Sequence, residues 1–493
     1  MAPAYAFAPA TAVPLASIPV LDVDAFRETV IAGVATGARL AALFASPVDG
    51  EAQRLTVVLA EPATHRLAVA HTLVRGSYRA LTPECPAAHW FEREIAEETG
   101  LTPTGHPWLK PLRFTRPGAS PGVTDYFRVE GAEVHEVAVG PVHAGIIEPG
   151  HFRFQAFGEQ VLHVEISLGY QHRGVERALV GGRDRRSVHY AETLAGDTTI
   201  GHATAYAQVL EALTGTTPPA TAELGRAIAL ELERMANHVG DLGALAGDIG
   251  FLPTASFCGG IRGDFLNLTA AVCGSRFGRG WVRPGGVGFP IEAERARALR
   301  ARLARVYAAA RDAVALLWDT PSVRARFERT GVLTAEACRE LGIVGVAARA
   351  AGVARDARAD FPTGAYRALA VTPATWPDGD VRARARVRWL EIEASYVLVH
   401  GWLGRLEAAE EPLRAAVGAA APDHLAATIV EGWRGEICHV AVTGGDGRFA
   451  RYKVVDPSFH NWFGLAYAMR GQAISDFPLC NKSFNLSYCG HDL

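Results

Sequence analysis

Hydrophobic positions change rhythm along this chain, and the change divides it. Residues 40–48, 55–61 and 67–74 are short apolar runs separated by polar or glycine-containing turns, and they predict three strands. Pro86 then opens a helical stretch with acids on its surface, for which Gly100 supplies the stop. Pro103, Pro107, Pro111, Pro117 and Pro121 follow closely, as in a linker. Residues 152–169 alternate apolar and polar and predict a hairpin turning near Gly158. Beyond them the period becomes helical. Leu224, Ile228, Leu232, Met235, Val239 and Leu242 form one stripe; Leu299, Leu303, Val306, Ala310, Val314 and Leu317 form another. Residues 387–404 predict a further helix, and short strands return at 437–444 and 447–456 around the glycines of 444–447.

The pattern predicts an α+β chain in four parts: a flexible lead-in (1–22), a small strand-and-helix domain (23–116), a linker (117–139) and a large, mostly helical domain (140–493). The lead-in lacks a basic segment, and Pro3, Pro9 and Pro14 break any short apolar helix. No uncharged apolar stretch reaches the ~18 residues of a membrane span, so cytoplasmic residence is the default expectation, with peripheral docking on membrane subunits left open.

Charge narrows the classes. The 493 residues carry 49 Lys and Arg against 52 Asp and Glu, a net charge of −3, which gives no reason to expect nucleic acid or an anionic membrane surface as the main partner. Arg295, Arg297, Arg300, Arg302, Arg305 and Arg311 share one predicted helix and read as a solvated face. The seven cysteines, Cys85, Cys258, Cys273, Cys338, Cys438, Cys480 and Cys489, include no C-x-x-C pair. That excludes a zinc ribbon, a thioredoxin-type dithiol and a ferredoxin cassette within this chain. Dinucleotide, phosphate-loop and nucleophile-elbow motifs are absent too.

Three polar clusters remain. His172, Arg173 and Glu176 follow the hairpin directly, and a carboxylate beside an imidazole can carry a proton; from periodicity alone a turn with solvated charges is the favoured reading. Asp197, Thr198 and His202 lead into a helix, where Asp197 reads as an N-cap. Glu231, Arg234, His238 and Asp241 lie on one helical face and read as structural ion pairs. Arg262 sits in the glycine-rich segment 259–264, which a backbone turn would explain.

Taken in order, several segments carry a family resemblance. Gly140-Pro141-Val142-His143, His172-Arg173-Gly174-Val175-Glu176, the segment 259–264 and Arg434-Gly435-Glu436 resemble the large subunit of energy-converting group 4 [NiFe]-hydrogenases, homologous to the 49 kDa subunit of complex I (NADH-quinone oxidoreductase). Phe91-Glu92-Arg93-Glu94 followed by Gly100 resembles the 30 kDa subunit of complex I, fused in front as in formate hydrogenlyase. The resemblance covers residues 25–493 and implies a small complex I 30 kDa-like domain before a large hydrogenase-like domain with peripheral antiparallel strands.

It also implies where nickel would sit. Two C-x-x-C pairs hold that metal in the hydrogenases, because soft thiolates are needed. The matching positions here are Ala195 and Thr198, then Ser487 and Gly490, with Cys489 one residue out of place. No nickel is therefore expected. Nickel-bearing relatives carry a cleaved C-terminal extension; the sequence ends at Leu493, and no such processing is expected. The quinone-binding Tyr of complex I falls near Gly196, so that pair is not clearly gained either.

The implied reading is a peripheral-arm subunit of a membrane-bound oxidoreductase on the inner face of the cell membrane. It would bind no cofactor alone, dock on a small subunit holding a [4Fe-4S] cluster, and work with a ferredoxin-like subunit and antiporter-like membrane subunits. Electron transfer to a quinone or other small acceptor would couple to proton or ion translocation. Glu176, His172, Arg173 and His202 are the expected catalytic groups; Thr198, Ser487, Tyr488, Arg262 and His143 are expected to bind the acceptor or cofactor. A non-catalytic scaffold is the rival reading, and an active [NiFe]-hydrogenase a third.

Overall fold

The computed structural model describes every residue except 1–3, 49, 145–146, 183, 185 and 407–411. The small domain is built on an antiparallel sheet of Arg39–Pro47, Gln53–Glu61 and Arg66–Val74, close to the strands the alternation predicts. Two helices, Val23–Ala35 and His89–Thr99, pack against it. Asp22 caps the first by accepting from Ala25 N at 2.8 Å. Gly100 ends the second in the left-handed conformation, where a residue without Cβ meets no steric penalty.

The lead-in is a correction. Residues 1–22 read as flexible, yet Tyr5–Phe7 pairs with Arg66–Val74 and Thr11–Pro14 pairs with His424–Glu431 of the large domain. Burial of Phe7 and Val13 accounts for it, since each strand adds an apolar side chain and a ladder of hydrogen bonds to an existing sheet edge. The stretch taken as linker also ends in a strand, Val134–Val139, on the edge of the predicted hairpin His151–Phe157 and Gln160–Ser167.

The large domain is organised around the helix Ala220–Asp248, which packs on Leu252–Cys273 and Val381–Leu406. The first of these two contains the segment 259–264, so its glycines are helical and not a turn. Close approach of the two helices explains the glycine opposite: a β-carbon on Gly243 would stand 2.6 Å from that of Cys258. An antiparallel sheet of His424–Glu431, Glu436–Thr443 and Phe449–Val455 lies beside Thr199–Thr214.

The two domains are not beads on a string. Phe91 of the small domain packs on Phe459 of the large one with ring centres 4.9 Å apart, inside a single apolar cluster. Buried Arg39 adds a polar tie by donating to Glu436 and, at 2.9 Å, to Asp360.

Candidate functional site

Two loops meet where the resemblance places the metal. One precedes the helix Thr199–Thr214 and carries Ala195, Gly196, Asp197 and Thr198; the other precedes the short helix Tyr488–Asp492 and carries Ser487. Two arginines fasten them. Arg173 donates to the carbonyls of Thr193 (2.6 Å) and Leu194 (2.8 Å) on one side and of Cys489 (3.3 Å) on the other. Arg434 donates to both Asp197 oxygens (2.5 and 2.9 Å) and to the Asn485 carbonyl (2.5 Å), with its guanidinium 3.9 Å from the Trp433 ring centre. The segment before Arg173 clamps the C-terminal helix. Gly169 N and Gln171 N donate to the Asp492 carboxylate at 2.8 and 2.9 Å, and His172 Nδ1 meets the Asp492 carbonyl at 2.7 Å.

The side chains at the four expected ligand positions are spoken for. Ala195 is fully buried. Thr198 Oγ1 accepts from Trp433 Nε1 (3.1 Å) and Arg434 (3.2 Å) and donates to Asp197 (3.3 Å). Ser487 caps the last helix by accepting from Gly490 N at 2.9 Å. Gly490 lies against Asp456, so a β-carbon there would come within 2.7–3.0 Å of all three carboxyl-group atoms. Cys489 Sγ stands 3.4 Å from Ser487 Oγ, and burial together with Glu148 pushes its thiol up to about 11. A metal-binding cysteine needs the opposite shift, toward thiolate. The residues present do not fit a nickel–iron centre.

Behind the loops runs a closed string of polar groups. His202 Nε2 meets Asp456 at 2.9 Å, His202 Nδ1 meets His439 Nε2 at 3.1 Å, and His439 Nδ1 meets the Tyr452 hydroxyl at 2.9 Å. Burial opposes charge on Asp456, but His202, Arg434 and Ser458 together outweigh it and lower the carboxyl. An ionised Asp456 only accepts, so His202 donates to it from Nε2. Both ring nitrogens of fully buried His202 are bonded, so neither is left for a ligand.

Glu176 sits in Val175–Leu179 and is buried at the boundary between the domains. Its Oε1 accepts from Lys453 Nζ (3.0 Å) and Val454 N (2.9 Å). Lys453 also pairs with Glu94 of the small domain at 2.6 Å, and Arg113 pairs with Glu94 while donating to the His491 carbonyl. Burial raises the Glu94 carboxyl; Lys453 and Arg113 overcome that and hold it down at about 2.

The other expected residues are placed more loosely. His143 Nε2 meets the Gly150 carbonyl at 2.9 Å, and its ring lies 6.4 Å from that of Tyr488, so these two are neighbours. Tyr488 packs edge-on to Trp462 with ring centres 4.7 Å apart, and burial pushes its phenol up to about 12. Arg262 lies elsewhere, across Gly240 of the long central helix. Asp197 is not a side-chain cap: Thr198 holds the N-cap position, and the first helical amides, Ile200 N and Gly201 N, donate to Glu233 at 2.7 and 3.2 Å. Glu233 escapes sequence reading because a Glu in a long helix looks like surface charge. Burial pushes it up to about 8.

The family models agree with this layout. The description "Respiratory-chain NADH dehydrogenase, 49 Kd subunit" matches residues 248–417 and 410–492, and its 30 Kd counterpart matches 35–121. The carbon monoxide-induced hydrogenase of Rhodospirillum rubrum is 31% identical over 352 residues, 71% of this chain and 97% of that one. The chain belongs to this hydrogenase and complex I 49 kDa family, with a 30 kDa module fused in front. Formate hydrogenlyase subunit 5 of Escherichia coli (strain K12) is 29% identical across 83% of this chain and 76% of its own length. A subunit in the structure of the membrane-bound sulfane sulfur reductase, an archaeal respiratory membrane complex, shares the fold with a TM-score of 0.68 at 21% identity, covering 73% of this chain and 99% of that one. Among the described residues no helix is long and apolar enough to cross a membrane.

Proposed function

We propose that this chain is a nickel-free peripheral-arm subunit of a membrane-bound, complex I-like oxidoreductase. Electrons would pass from a 4Fe–4S cluster on a small partner subunit to a quinone or another small acceptor, coupled to proton or ion movement through antiporter-like membrane subunits. The observation that carries the reading is the packing of Gly490 on Asp456 beside a loop pair without thiolates. The loops keep their meeting place, fastened by Arg173 and Arg434, while the chemistry that nickel needs is gone. His143 beside Tyr488 supplies a ring pair at the C-terminal loop against which a planar acceptor would rest. No step is assigned to His202 or Thr198, whose polar atoms are already bonded.

That closed bonding favours one second reading, a scaffold that keeps the subunit interface and performs no chemistry. Purified intact complex separates the two. With the partner cluster reduced, the catalytic reading predicts acceptor-dependent reoxidation, seen by electron paramagnetic resonance, that is slowed at least tenfold by Tyr488→Phe or His143→Ala. Reoxidation absent for every quinone and sulfur acceptor, or unchanged in both variants, supports the scaffold.

A further inference from the structure

A cavity of about 410 Å³ lies away from the two loops. That volume falls in the range of small-molecule sites, about 300–1,000 Å³. Its walls are the second half of Thr199–Thr214, the start of Ala220–Asp248, the 3-10 turn Gly364–Ala368 and the N-terminal strand Thr11–Pro14. Thr198 holds the far end of Thr199–Thr214, so Glu211 in the cavity wall stands ~20 Å along that helix from the loop pair, at about 1.5 Å per residue. Much of the wall is closed to further bonding. Arg226 and Glu211 form a buried bidentate pair (2.5 and 3.0 Å), and the Gln208 amide donates to Thr363 (2.9 Å) and accepts from Thr428 (2.7 Å). Leu230, Ala227 and Val430 add a buried apolar face.

Two charged groups and a hydroxyl in this lining have no partner. Glu223 is half-buried, and among the described residues its carboxylate makes no hydrogen bond or ion pair; the exposed Arg367 guanidinium makes none either. The two belong to one corner of the cavity. A β-carbon on Gly364 would stand 3.9 Å from that of Glu223, and Arg367 follows Gly364 by three positions in a 3-10 turn, where such positions lie one above the other. Burial raises the Glu223 carboxyl, and Arg367 is foremost among the charges that oppose the rise. Thr204, also in the lining, is 6% exposed and keeps its Oγ1 without a partner. A buried polar group left unpaired is costly, so the lining favours a molecule that meets these groups.

An acid and a base that stand near each other unpaired, above an apolar face, match a molecule with the opposite charges on neighbouring atoms. We propose that this cavity binds a free α-amino acid with an aliphatic side chain. Its ammonium donates to Glu223, its carboxylate accepts from Arg367, and its side chain rests on Leu230, Ala227 and Val430. A simple carboxylic acid would leave Glu223 unmatched, and a simple amine would leave Arg367 unmatched. A peptide terminus carries only one of the two charges. A charged side chain would meet the apolar face without a counter-ion. The event is binding alone, with no bond made or broken, and it goes beyond the proposed function without resting on it.

The test is isothermal titration calorimetry of the intact complex with L-leucine, L-isoleucine and L-valine. At least one is expected to bind saturably, one molecule per copy of this chain, and to bind at least about tenfold more weakly in Glu223→Gln and in Arg367→Gln. Both side chains reach solvent, so both variants should fold, which an unchanged Tm verifies. 4-Methylpentanoate and isopentylamine, which each lack one charge of leucine, should also bind at least about tenfold more weakly than leucine. No saturable binding of the three amino acids, binding unchanged in either folded variant, or a singly charged analogue that binds as tightly as leucine overturns the proposal. Because the readout needs no electron transfer, failure of acceptor-dependent reoxidation would strike the proposed function and leave this result standing.

Discussion

Gly490 rests on Asp456 so closely that a β-carbon on Gly490 would lie 2.7 Å from the Asp456 carboxyl carbon. Asp456 in turn holds His202 at 2.9 Å. Restoring a cysteine at this position therefore has to displace a buried, bonded carboxylate. Gly490→Cys is predicted to destabilise the chain by about 1–3 kcal/mol, the usual cost of overpacking a filled interior. Gly490→Ala should show most of the same loss, since the β-carbon makes the clash. Denaturant unfolding of the two variants checks this; an unchanged midpoint for both would count against the packing.

Cys489 is predicted to be a poor nucleophile. Burial first, then the neighbouring Glu148, pushes its thiol up to about 11, so almost none is thiolate at neutral pH. Alkylation by iodoacetamide should be slow at pH 7 and should accelerate about tenfold per pH unit up to that value. Rapid modification at pH 7 would contradict the environment described.

Glu233 gives stability a pH slope of identifiable sign. Burial raises its carboxyl in the folded chain to about 8 from the ordinary 4.5, so between those values the folded chain holds a proton that the unfolded chain has lost. Stability from this group is full below about 4.5 and falls as pH rises toward 8. Glu233→Gln is predicted to flatten that fall, seen as a smaller drop in Tm between pH 5 and pH 8. An equal drop in parent and variant would remove Glu233 as its source.

The domain-boundary ion pairs act at the acid end. Glu94 is held at about 2, below the ordinary carboxylate range, so its contribution is complete above about 4.5 and lost as pH falls through 2. Lys453→Met leaves Glu94 and Glu176 without their shared cation and should raise the pH of acid unfolding. Breaking such a buried pair costs about 3–5 kcal/mol. Acid unfolding at the parent pH would show that Arg113 alone suffices.

Long-period features were the legible part of the fold. The stripe from Leu224 to Leu242 marks the central helix Ala220–Asp248 because about five turns of one pattern overwhelm local noise. Thr11–Pro14 was illegible because its partner, His424–Glu431, lies near the other end of the chain, and no local signal announces a non-local edge. At the site, the positions of Ala195, Thr198, Ser487 and Gly490 came from resemblance, and the structure brings the two loops together. What those loops do with their polar atoms was hidden: the pairing of Asp197 with Arg434, and of the helix amides with Glu233, depends on which helix docks where. Glu176 stood out in sequence, but its partner Lys453, and Glu94 that shares this cation, come from two other segments and could be read only in three dimensions.

The most direct test of the central claim is the metal content of the intact complex purified from its native cells, measured by inductively coupled plasma mass spectrometry with iron as the internal standard. The account predicts iron from the partner clusters and no nickel above background. One nickel per copy of this chain would contradict it.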